Sequence, residues 1–282
     1  MLHGRTAQLD NSWQLHTLQT ESKGSQVTTS DRQMLTEKAG TRAVAEHYAS
    51  HLAPVYLWMA GGRDAAIGRG EGEVAAVCSK PSQPLTAVDL GAGFGMHAIP
   101  LARLGYSVIA IDSSRLLLEV LRTHFDTLPV RAIEDDLLSF RKHLHAKVDL
   151  IICMGDTLTH LPNTESVEAL LSDVAASLQA GGMFVSTFRD YTVPLVGVAR
   201  FIPVRSDSDR ILTCFLEYGD DAVTVYDILY ERNGMVWQQR VSAYQKLRLS
   251  TDWMTQVLRD LGFSVRVEPG LAGMVRVVAT AG

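Results

Sequence analysis

Short apolar runs alternate with amphipathic helical patterns through the middle of the chain. Strands are predicted at 85–90, Tyr106 to Ile111, Val130 to Ile133, Val148 to Met154 and Met183 to Phe188. Helices are predicted between them at 96–104, 114–125 and Thr164 to Leu178. The strand patterns are nearly continuous in apolar residues, which is typical of strands buried on both faces. Strands and helices that alternate with short links predict an α/β fold with a doubly wound, mostly parallel sheet.

The pattern changes after residue 200, where β-type runs follow one another without helices between them. These runs are Ile211–Tyr218, Val223–Tyr230 and Met235–Leu247, joined by turn signals at Gly219-Asp220-Asp221 and Asn233-Gly234. They predict an antiparallel β-meander insertion over 200–248. A helix from Thr251 to Leu261 and strands at 263–267 and 274–279 complete the pattern. Because the meander follows strand five, we expect it to cover the ligand edge of the sheet.

The N-terminal region divides into two parts. Residues 1–38 contain much Gln, Ser, Thr and His with few clustered apolar residues, which predicts a disordered tail. Helical periodicity begins at Thr41 and is interrupted by Pro54 and by Gly61-Gly62. We interpret 39–84 as a helical lid on a single domain that spans 39–282.

Composition limits the classes of function. A net charge of −5 without a long basic run disfavours nucleic acid as a partner. Three widely separated cysteines suit a reducing cytoplasm, and no Cys/His spacing indicates a metal site. No apolar run is long enough to span a membrane, and no hydrophobic signal region opens the chain. We therefore predict a cytoplasmic protein, a monomer or homodimer, that acts on a small molecule.

A glycine-rich turn follows the first predicted strand and precedes its helix. The glycines Gly91, Gly93 and Gly95 follow a G-x-G-x-G spacing, with Ala92 between the first two. They let the backbone turn sharply and lie against a ligand. A dinucleotide-binding fingerprint needs its third glycine at Met96. The spacing therefore favours a nucleoside ligand without a pyrophosphate.

Acidic residues stand at three predicted strand ends, where ligands of open parallel sheets bind. Asp89 can bind an ammonium group, and Asp112, followed by Ser113, can accept hydrogen bonds from both ribose hydroxyls. Asp135 and Asp136 can accept from an adenine amino group, with Leu137 packed on the ring. The competing interpretation of each acid is a helix cap, a turn residue or a solvated side chain.

The segment after strand four is the expected place of the reacting groups. Cys153, Met154 and Gly155 are predicted beside the ligand, and Gly155 permits close approach of the backbone. Asp156, Thr157 and His160 then supply an acceptor, a hydroxyl and an imidazole. We predict that all three bind the substrate and that Asp156 and His160 are catalytic, by orienting an acceptor or taking its proton. The alternative for His160 is a structural role.

An ordered set of motifs resembles the class I S-adenosylmethionine-dependent methyltransferases. They are Val88-Asp-Leu-Gly-Ala-Gly-Phe-Gly95, Ile109-Ala-Ile-Asp-Ser113, Asp135-Asp-Leu137 and Gly181-Gly-Met-Phe-Val185. The resemblance implies a seven-stranded Rossmann-like sheet with an antiparallel last strand. It also implies S-adenosyl-L-methionine as methyl donor and S-adenosyl-L-homocysteine as product.

The N-terminal helix and the segments after strands four and five resemble glycine N-methyltransferase and its small-molecule relatives. By that resemblance, Tyr48 covers the cofactor and Arg63 holds its carboxylate, with Arg69 as the competitor. Arg189 would grip a substrate carboxylate, and Tyr191 would line the pocket. The relatives have Asn-Ser where Asp156-Thr157 stands, which puts glycine in doubt as substrate.

Several functions remain open at this point. The leading prediction is methyl transfer to an amine of an amino-acid-like small molecule, with an oxygen acceptor as the runner-up. The alternatives from other classes are an NAD(P)-binding oxidoreductase and a non-catalytic nucleoside-binding protein. Stabilisation by S-adenosylhomocysteine but not by NAD would separate the leading prediction from the oxidoreductase.

Overall fold

A seven-stranded sheet forms the centre of the fold in a computed structural model, which describes residues 52–124 and 127–282. Its strands are β1 (Leu85–Leu90), β2 (Tyr106–Asp112), β3 (Val130–Glu134), β4 (Val148–Cys153), β5 (Leu178–Phe188) and, after an insertion of β6–β9, β10 (Phe263–Pro269) and β11 (Val275–Ala281). The strand order is β10-β11-β5-β4-β1-β2-β3. The first five strands pair in parallel, and β11 runs antiparallel to β5 and β10. The predicted fold class is confirmed.

Helices cover both faces of this sheet. They are α1 (Ala53–Met59), α2 (Arg63–Ala75), α3 (Ala98–Leu104), α4 (Arg115–His124), α5 (Thr164–Ser177) and α6 (Thr251–Asp260). On one face, Ala87 of β1 packs in a cluster with apolar residues of α2, α3 and α4. On the other face, Val88 and Leu90 pack in a cluster with α5 and α6. Adjacent residues of β1 thus serve opposite faces, as the alternation of a strand requires.

Helix α2 lies within the region 39–84 that was interpreted as a helical lid, but no bounds were predicted for it, because its three glycines argue against a helix. One of them is needed for packing. A Cβ atom added at Gly70 would lie 1.9 Å from the backbone oxygen of Met96. The glycine therefore lets α2 lie directly against the start of the α3 region.

Strand β5 starts earlier than predicted. Leu178 pairs with Val148, and the register with β4 then shifts between Val148 and Leu150. Gly181 and Gly182, which precede the predicted strand, therefore lie within β5.

The insertion after β5 is a separate four-stranded antiparallel sheet. Its strands, in spatial order, are β6 (Phe201–Ser206), β7 (Arg210–Tyr218), β8 (Ala222–Asn233) and β9 (Val236–Leu247). Strand β6 was not predicted, because Pro203 disfavours a strand except at a sheet edge, where β6 lies. Leu212 and Leu229 of this sheet pack against Leu52 and Val55.

The two ends of the insertion are held together by the side chains of Asp190 and Arg248. The Asp190 carboxylate accepts hydrogen bonds from the backbone N–H of Thr251 at 2.9 Å and from its hydroxyl at 2.7 Å. Asp190 follows β5 and Thr251 begins α6, so the inserted chain leaves and returns at one place. We call this contact the Asp190–Thr251 clip.

Candidate active site

A cavity of about 280 Å³ lies at the carboxyl ends of β1, β2 and β4. Its wall is formed by Tyr56, Ala60, Gly91, Ala92, Gly93, Phe94, Met96, His97, Asp112, Ser113, Ser114, Leu117, Asp136, Leu137, Met154, Gly155, Thr157, His160 and Leu161. The structure therefore brings together, in one place, most residues that the sequence assigned to ligand binding. Tyr48 lies outside the described residues.

The glycine turn after β1 forms the floor between two strands. The N–H groups of Gly91 and Ala92 both donate to the carbonyl of Ile111, at 2.8 and 3.0 Å. Gly91 has a φ of +78°, and a Cβ atom there would lie 2.5 Å from Cγ2 of Thr157. A side chain at this position would push the turn after β4 away from the cavity.

Asp112 ends β2 and is held by the backbone of the glycine turn. Its carboxylate accepts from the N–H of Gly93 at 2.8 Å and from the N–H of Ser114 at 2.7 Å. Burial raises the pKa of Asp112, and these two hydrogen bonds oppose the rise. A carboxylate has about four acceptor positions. The Asp112 carboxylate can therefore keep both backbone hydrogen bonds and still accept hydrogen bonds from the hydroxyls of a bound sugar.

Asp89, near the end of β1, does not line the cavity, and it is 1% exposed. Its Oδ2 atom is buried and has no hydrogen-bond partner. Burial raises the pKa of Asp89 to about 6, with the charge of Asp112 adding to the rise and His97 opposing it. The imidazole of His97, which does line the cavity, contacts Glu73 at 3.0 Å. Buried acceptor atoms beside a cavity suit a ligand that carries an ammonium group.

The acids after β3 divide between two roles. Asp136 lines the cavity together with Leu137, and its carboxylate also caps the following turn by accepting from the N–H of Leu138 at 2.9 Å. Asp135 does not line the cavity. Its carboxylate pairs with Lys142 at 2.6 Å and His143 at 2.5 Å, and these contacts lower the pKa of Asp135 to about 2. Only Asp136 of the two acids is therefore placed to meet a ligand.

The turn after β4 supplies the other end of the cavity. It contains a short 3₁₀ helix, Thr157–His160, of which both named residues line the wall. The Thr157 hydroxyl donates to the carbonyl of Met154 at 2.7 Å. The His160 ring stacks on Tyr244 of β9, with ring centroids 5.4 Å apart. The insertion sheet therefore touches the wall of the cavity directly.

Asp156 belongs to this turn, but its carboxylate forms hydrogen bonds with other residues of the protein. It accepts from Lys246 Nζ at 2.5 Å, from the Tyr191 hydroxyl at 3.2 Å and from the N–H of Arg189 at 2.9 Å. Burial alone would raise the pKa of Asp156. The Lys246 ammonium, the Arg189 N–H and the charge of His160 outweigh burial and lower it. Asp156 does not line the cavity, and the structure differs here from the role expected of it.

Several other expected site residues also lie away from the cavity wall. Arg63 pairs with Asp64 at 2.9 Å, and Arg69 donates to the carbonyl of Ala60. The Arg189 guanidinium donates to the carbonyl of Ala272 at 2.8 Å. Cys153 is fully buried in the core, which raises the pKa of its thiol. Tyr191 is buried against Asp156. Burial is the largest cause of the raised pKa of Tyr191, and the charge of Asp156 adds to the rise.

Sequence reasoning missed Tyr56, Phe94 and His97 of the cavity wall, and Lys246 beside the turn after β4. Tyr56 and Phe94 line the cavity with their rings 5.9 Å apart. Burial, helped by the charge of Asp112, raises the pKa of Tyr56 to about 12. Lys246 lies 90 positions after Asp156 in the sequence. The apolar spacing of α1 could have indicated Tyr56, but no local pattern links Lys246 to the turn after β4.

Within the described ranges, no group of three or more His, Cys, Asp or Glu side chains is placed to hold a metal ion. Over the same part of the chain, no helix combines the length and the apolar character that crossing a bilayer requires.

Comparison with known families matches residues 87–182 to a family described as a methyltransferase domain. Over 130 residues, the chain is 26% identical to the glycine/sarcosine N-methyltransferase of Aphanothece halophytica, a match that covers 44% of this chain and 48% of that protein. It is 29% identical over 177 residues to the cypemycin N-terminal methyltransferase of a Streptomyces species, covering 56% of this chain and 70% of that protein. The chain thus spans about half the length of the first relative.

The fold is shared with solved methyltransferase structures. One is an amino pentose methyltransferase from Micromonospora echinaspora with bound S-adenosylmethionine. It superposes with a TM-score of 0.65 at 16% identity, over 82% of this chain and 97% of that one.

Proposed function

We propose that this chain, whose residues 87–182 form an S-adenosylmethionine-dependent methyltransferase domain, methylates an amine nitrogen of a small molecule. The observation that carries the proposal is the composition of a single cavity. One part of its wall is the glycine turn with Asp112, and another is the Thr157–His160 turn. The first part suits a nucleoside donor, and the second offers a hydroxyl and an imidazole to an acceptor.

The residues present fit the donor. Asp112 would accept from the sugar hydroxyls, while Asp136 and Leu137 would meet the base. The unpartnered Oδ2 of Asp89, beside His97, would face the ammonium of the amino-acid part. When bound, the donor supplies a methyl group on a sulfonium, which is open to direct displacement.

The contribution of the protein to such a displacement is mainly positional. Holding the reactants in line at about 3 Å can lower a barrier by about 7–11 kcal/mol in the best cases. Thr157 and His160 would orient the acceptor. An amine must be neutral to attack, and the His160 imidazole, on the turn after β4, can take its proton. Asp156, which already has three partners, is assigned no direct contact with the acceptor.

An amine acceptor is favoured by two kinds of relative. The glycine/sarcosine N-methyltransferase and the amino pentose methyltransferase both carry an amino acceptor in their names. Arg189, which was expected to hold a substrate carboxylate, has its guanidinium at the Ala272 carbonyl. The acceptor we propose is therefore an amine that does not depend on Arg189 for recognition.

The remaining parts of the proposal concern location and partners. Three free cysteines, of which Cys78 and Cys153 are buried, favour a reducing cytoplasm. The net charge of −5 favours a small molecule over nucleic acid as substrate. We propose that the protein acts as a monomer or homodimer.

The test is a panel of amines, amino sugars, amino acids and phenols, scored by release of S-adenosylhomocysteine. We expect turnover with at least one amine, and a loss of about 100-fold in kcat/KM for that amine in His160→Gln. Turnover with phenols alone would make the protein an O-methyltransferase. Binding of the donor without turnover of any acceptor would support a non-catalytic binding protein and overturn the proposal.

A further inference from the structure

The turn that carries Thr157 and His160 starts at a strained residue. Asp156 has a φ of +73°, a left-handed conformation that costs a residue with a side chain about 1 kcal/mol or more. Asp156 and Ala272 are the two non-glycine residues with positive φ in the described ranges. Such a conformation persists where the surroundings hold it. The contacts of Asp156 are therefore the contacts that define the path of the turn.

Those contacts come from two parts of the fold. The Asp156 N–H donates to the carbonyl of Thr187 in β5 at 2.9 Å, and Arg189, just after β5, donates back to Oδ1. Lys246, from β9 of the insertion sheet, binds Oδ2 at 2.5 Å. The Asp156 and Lys246 side chains are 6% and 11% exposed. A buried pair of this kind is strongly destabilised when one partner is removed, because the other charge is left without compensation.

Strand β9 contacts the turn at a second point. Tyr244 lies two positions before Lys246, so both side chains are on the same face of the strand. Tyr244 stacks on His160, while Lys246 pairs with Asp156. The strand thus holds the first residue of the turn and its last residue.

We propose that Lys246 is a positioning residue of the acceptor site, which acts through Asp156 to hold the Thr157–His160 turn in the cavity wall. The inference rests on the proposed function, in which this turn faces the acceptor. Lys246 itself does not line the cavity. Through Asp156, Lys246 would fix the position of Thr157 and His160 in the cavity wall. This would make the insertion sheet part of the acceptor site.

The charges of Lys246 and Asp156 should affect the titration of the nearby His160 imidazole, and this effect can be measured. The charge of His160 acts on Asp156, so the two groups are coupled. The other charged and titratable groups around the turn are Lys246 and Tyr244 on β9 and Arg189 and Tyr191 after β5. The same cavity is also lined by Tyr56, His97, Asp112 and Asp136. In the wild-type protein the Lys246 and Asp156 charges offset each other near the imidazole.

The first test follows the His160 ring by NMR across a pH titration, with the signal assigned through His160→Gln. In Lys246→Met the uncompensated carboxylate should stabilise the imidazolium and raise the titration midpoint by about half a unit or more. In Asp156→Asn the uncompensated ammonium should lower it. The double variant should return near the wild-type midpoint. Shifts in the same direction in both single variants, or no shift in either, would overturn the proposal.

The second test compares binding with turnover. Lys246→Met should lower kcat/KM for the amine about tenfold or more and leave the Kd of S-adenosylhomocysteine within about twofold. Lys246→Arg keeps a cation and should recover most of the activity. The matched control on the same strand is Arg240→Met, which removes the 2.9 Å pair with Glu231 of β8 and should leave kcat/KM unchanged.

The outcomes separate the two proposals. Equal losses in Lys246→Met and Arg240→Met, or a loss of S-adenosylhomocysteine binding in Lys246→Met, would show that Lys246 has only a structural role. If Lys246→Met does not fold, Lys246→Arg and Asp156→Asn carry the same comparison. If the wild-type protein turns over no acceptor, the proposed function fails, while the NMR titration still decides whether Lys246 controls the turn.

Discussion

The side chain of Asp112 combines a structural and a binding role in one carboxylate. Both oxygens accept from backbone N–H groups, at 2.7 and 2.8 Å, and these bonds fix the glycine turn that forms the cavity floor. Asp112 also lines the cavity, where we propose that the same oxygens accept from a ligand. A substitution here should therefore affect ligand binding beyond any effect on the turn.

We predict that Asp112→Asn weakens S-adenosylhomocysteine binding about tenfold, because an amide oxygen accepts from sugar hydroxyls less strongly than a carboxylate does. Isothermal titration calorimetry measures the change. Asp149→Asn is the control, since Asp149 also accepts from a backbone N–H, that of Thr86 at 2.8 Å, but does not line the cavity. Equal changes of Kd in the two variants would refute a direct ligand contact for Asp112.

Asp89 gives a prediction about pH. Its pKa is about 6 in the folded protein, against an ordinary value of 3.8 for an aspartate. Between these values the folded state binds more protons than the unfolded state, so this group lowers stability as pH rises from about 4 to 6. Asp89→Asn should therefore stabilise the ligand-free protein by about 1–3 kcal/mol at about pH 8, and much less at about pH 4.5.

Thermal unfolding at the two pH values tests the Asp89 prediction. The same variant should bind S-adenosylhomocysteine more weakly, because the acceptor for the ammonium loses its charge. A stabilisation that does not depend on pH would show that the buried charge is not its cause.

At the scale of elements, helix α2 depends on one close contact. Gly70 lies against the Met96 carbonyl, and Glu73 on the same helix contacts His97 of the cavity wall. The position of the helix is thus linked to the position of a residue that a ligand would touch.

We predict that Gly70→Ala destabilises the protein by about 2 kcal/mol or more, because its Cβ would overlap the Met96 backbone and α2 would have to move. Gly72→Ala is the matched control, since no atom lies within 4 Å of a Cβ added there. The control should be neutral or gain up to about 1 kcal/mol from helix propensity. Chemical denaturation of both variants gives the comparison, and equal losses would contradict the packing role of Gly70.

The sequence indicated those elements whose pattern is local. Strands β1, β2 and β4 are apolar runs that are largely buried, and Asp112 could be assigned because strand ends form the ligand edge of such a sheet. The bounds of helix α2 could not be predicted, since its glycines argue against a helix and the packing of Gly70 on Met96 is not visible in the local pattern. Lys246 could not be predicted either, because its partner Asp156 is 90 positions away and only the packing of the insertion brings them together.

At the scale of the whole molecule, ligand binding should stabilise the entire domain. The cavity wall includes residues from α1, the glycine turn, β2 and the turns after β3 and β4. A ligand that contacts all of these segments binds the folded state and not the unfolded chain.

We predict that S-adenosylhomocysteine at about 100 times its Kd raises the free energy of unfolding by about 2.7 kcal/mol, while NAD has no effect. For a chain of this size the Tm should rise by about 5–10 °C. Scanning calorimetry or dye-based melting provides the measurement. A comparable rise with NAD would instead favour the oxidoreductase alternative.

The Asp190–Thr251 clip has a consequence for engineering. The inserted sheet leaves the core at Asp190 and returns to it at Thr251, and these two residues are hydrogen-bonded to each other. The entropy of loop closure varies only slowly with loop length. Replacement of the whole sheet by another should therefore change this entropy little. A chimera that keeps residues up to Asp190 and from Thr251 onward should retain its donor half if the foreign sheet also keeps the apolar contacts of Leu212 and Leu229 with α1. Transplanting such sheets offers a route to new acceptor preference without redesign of the donor pocket.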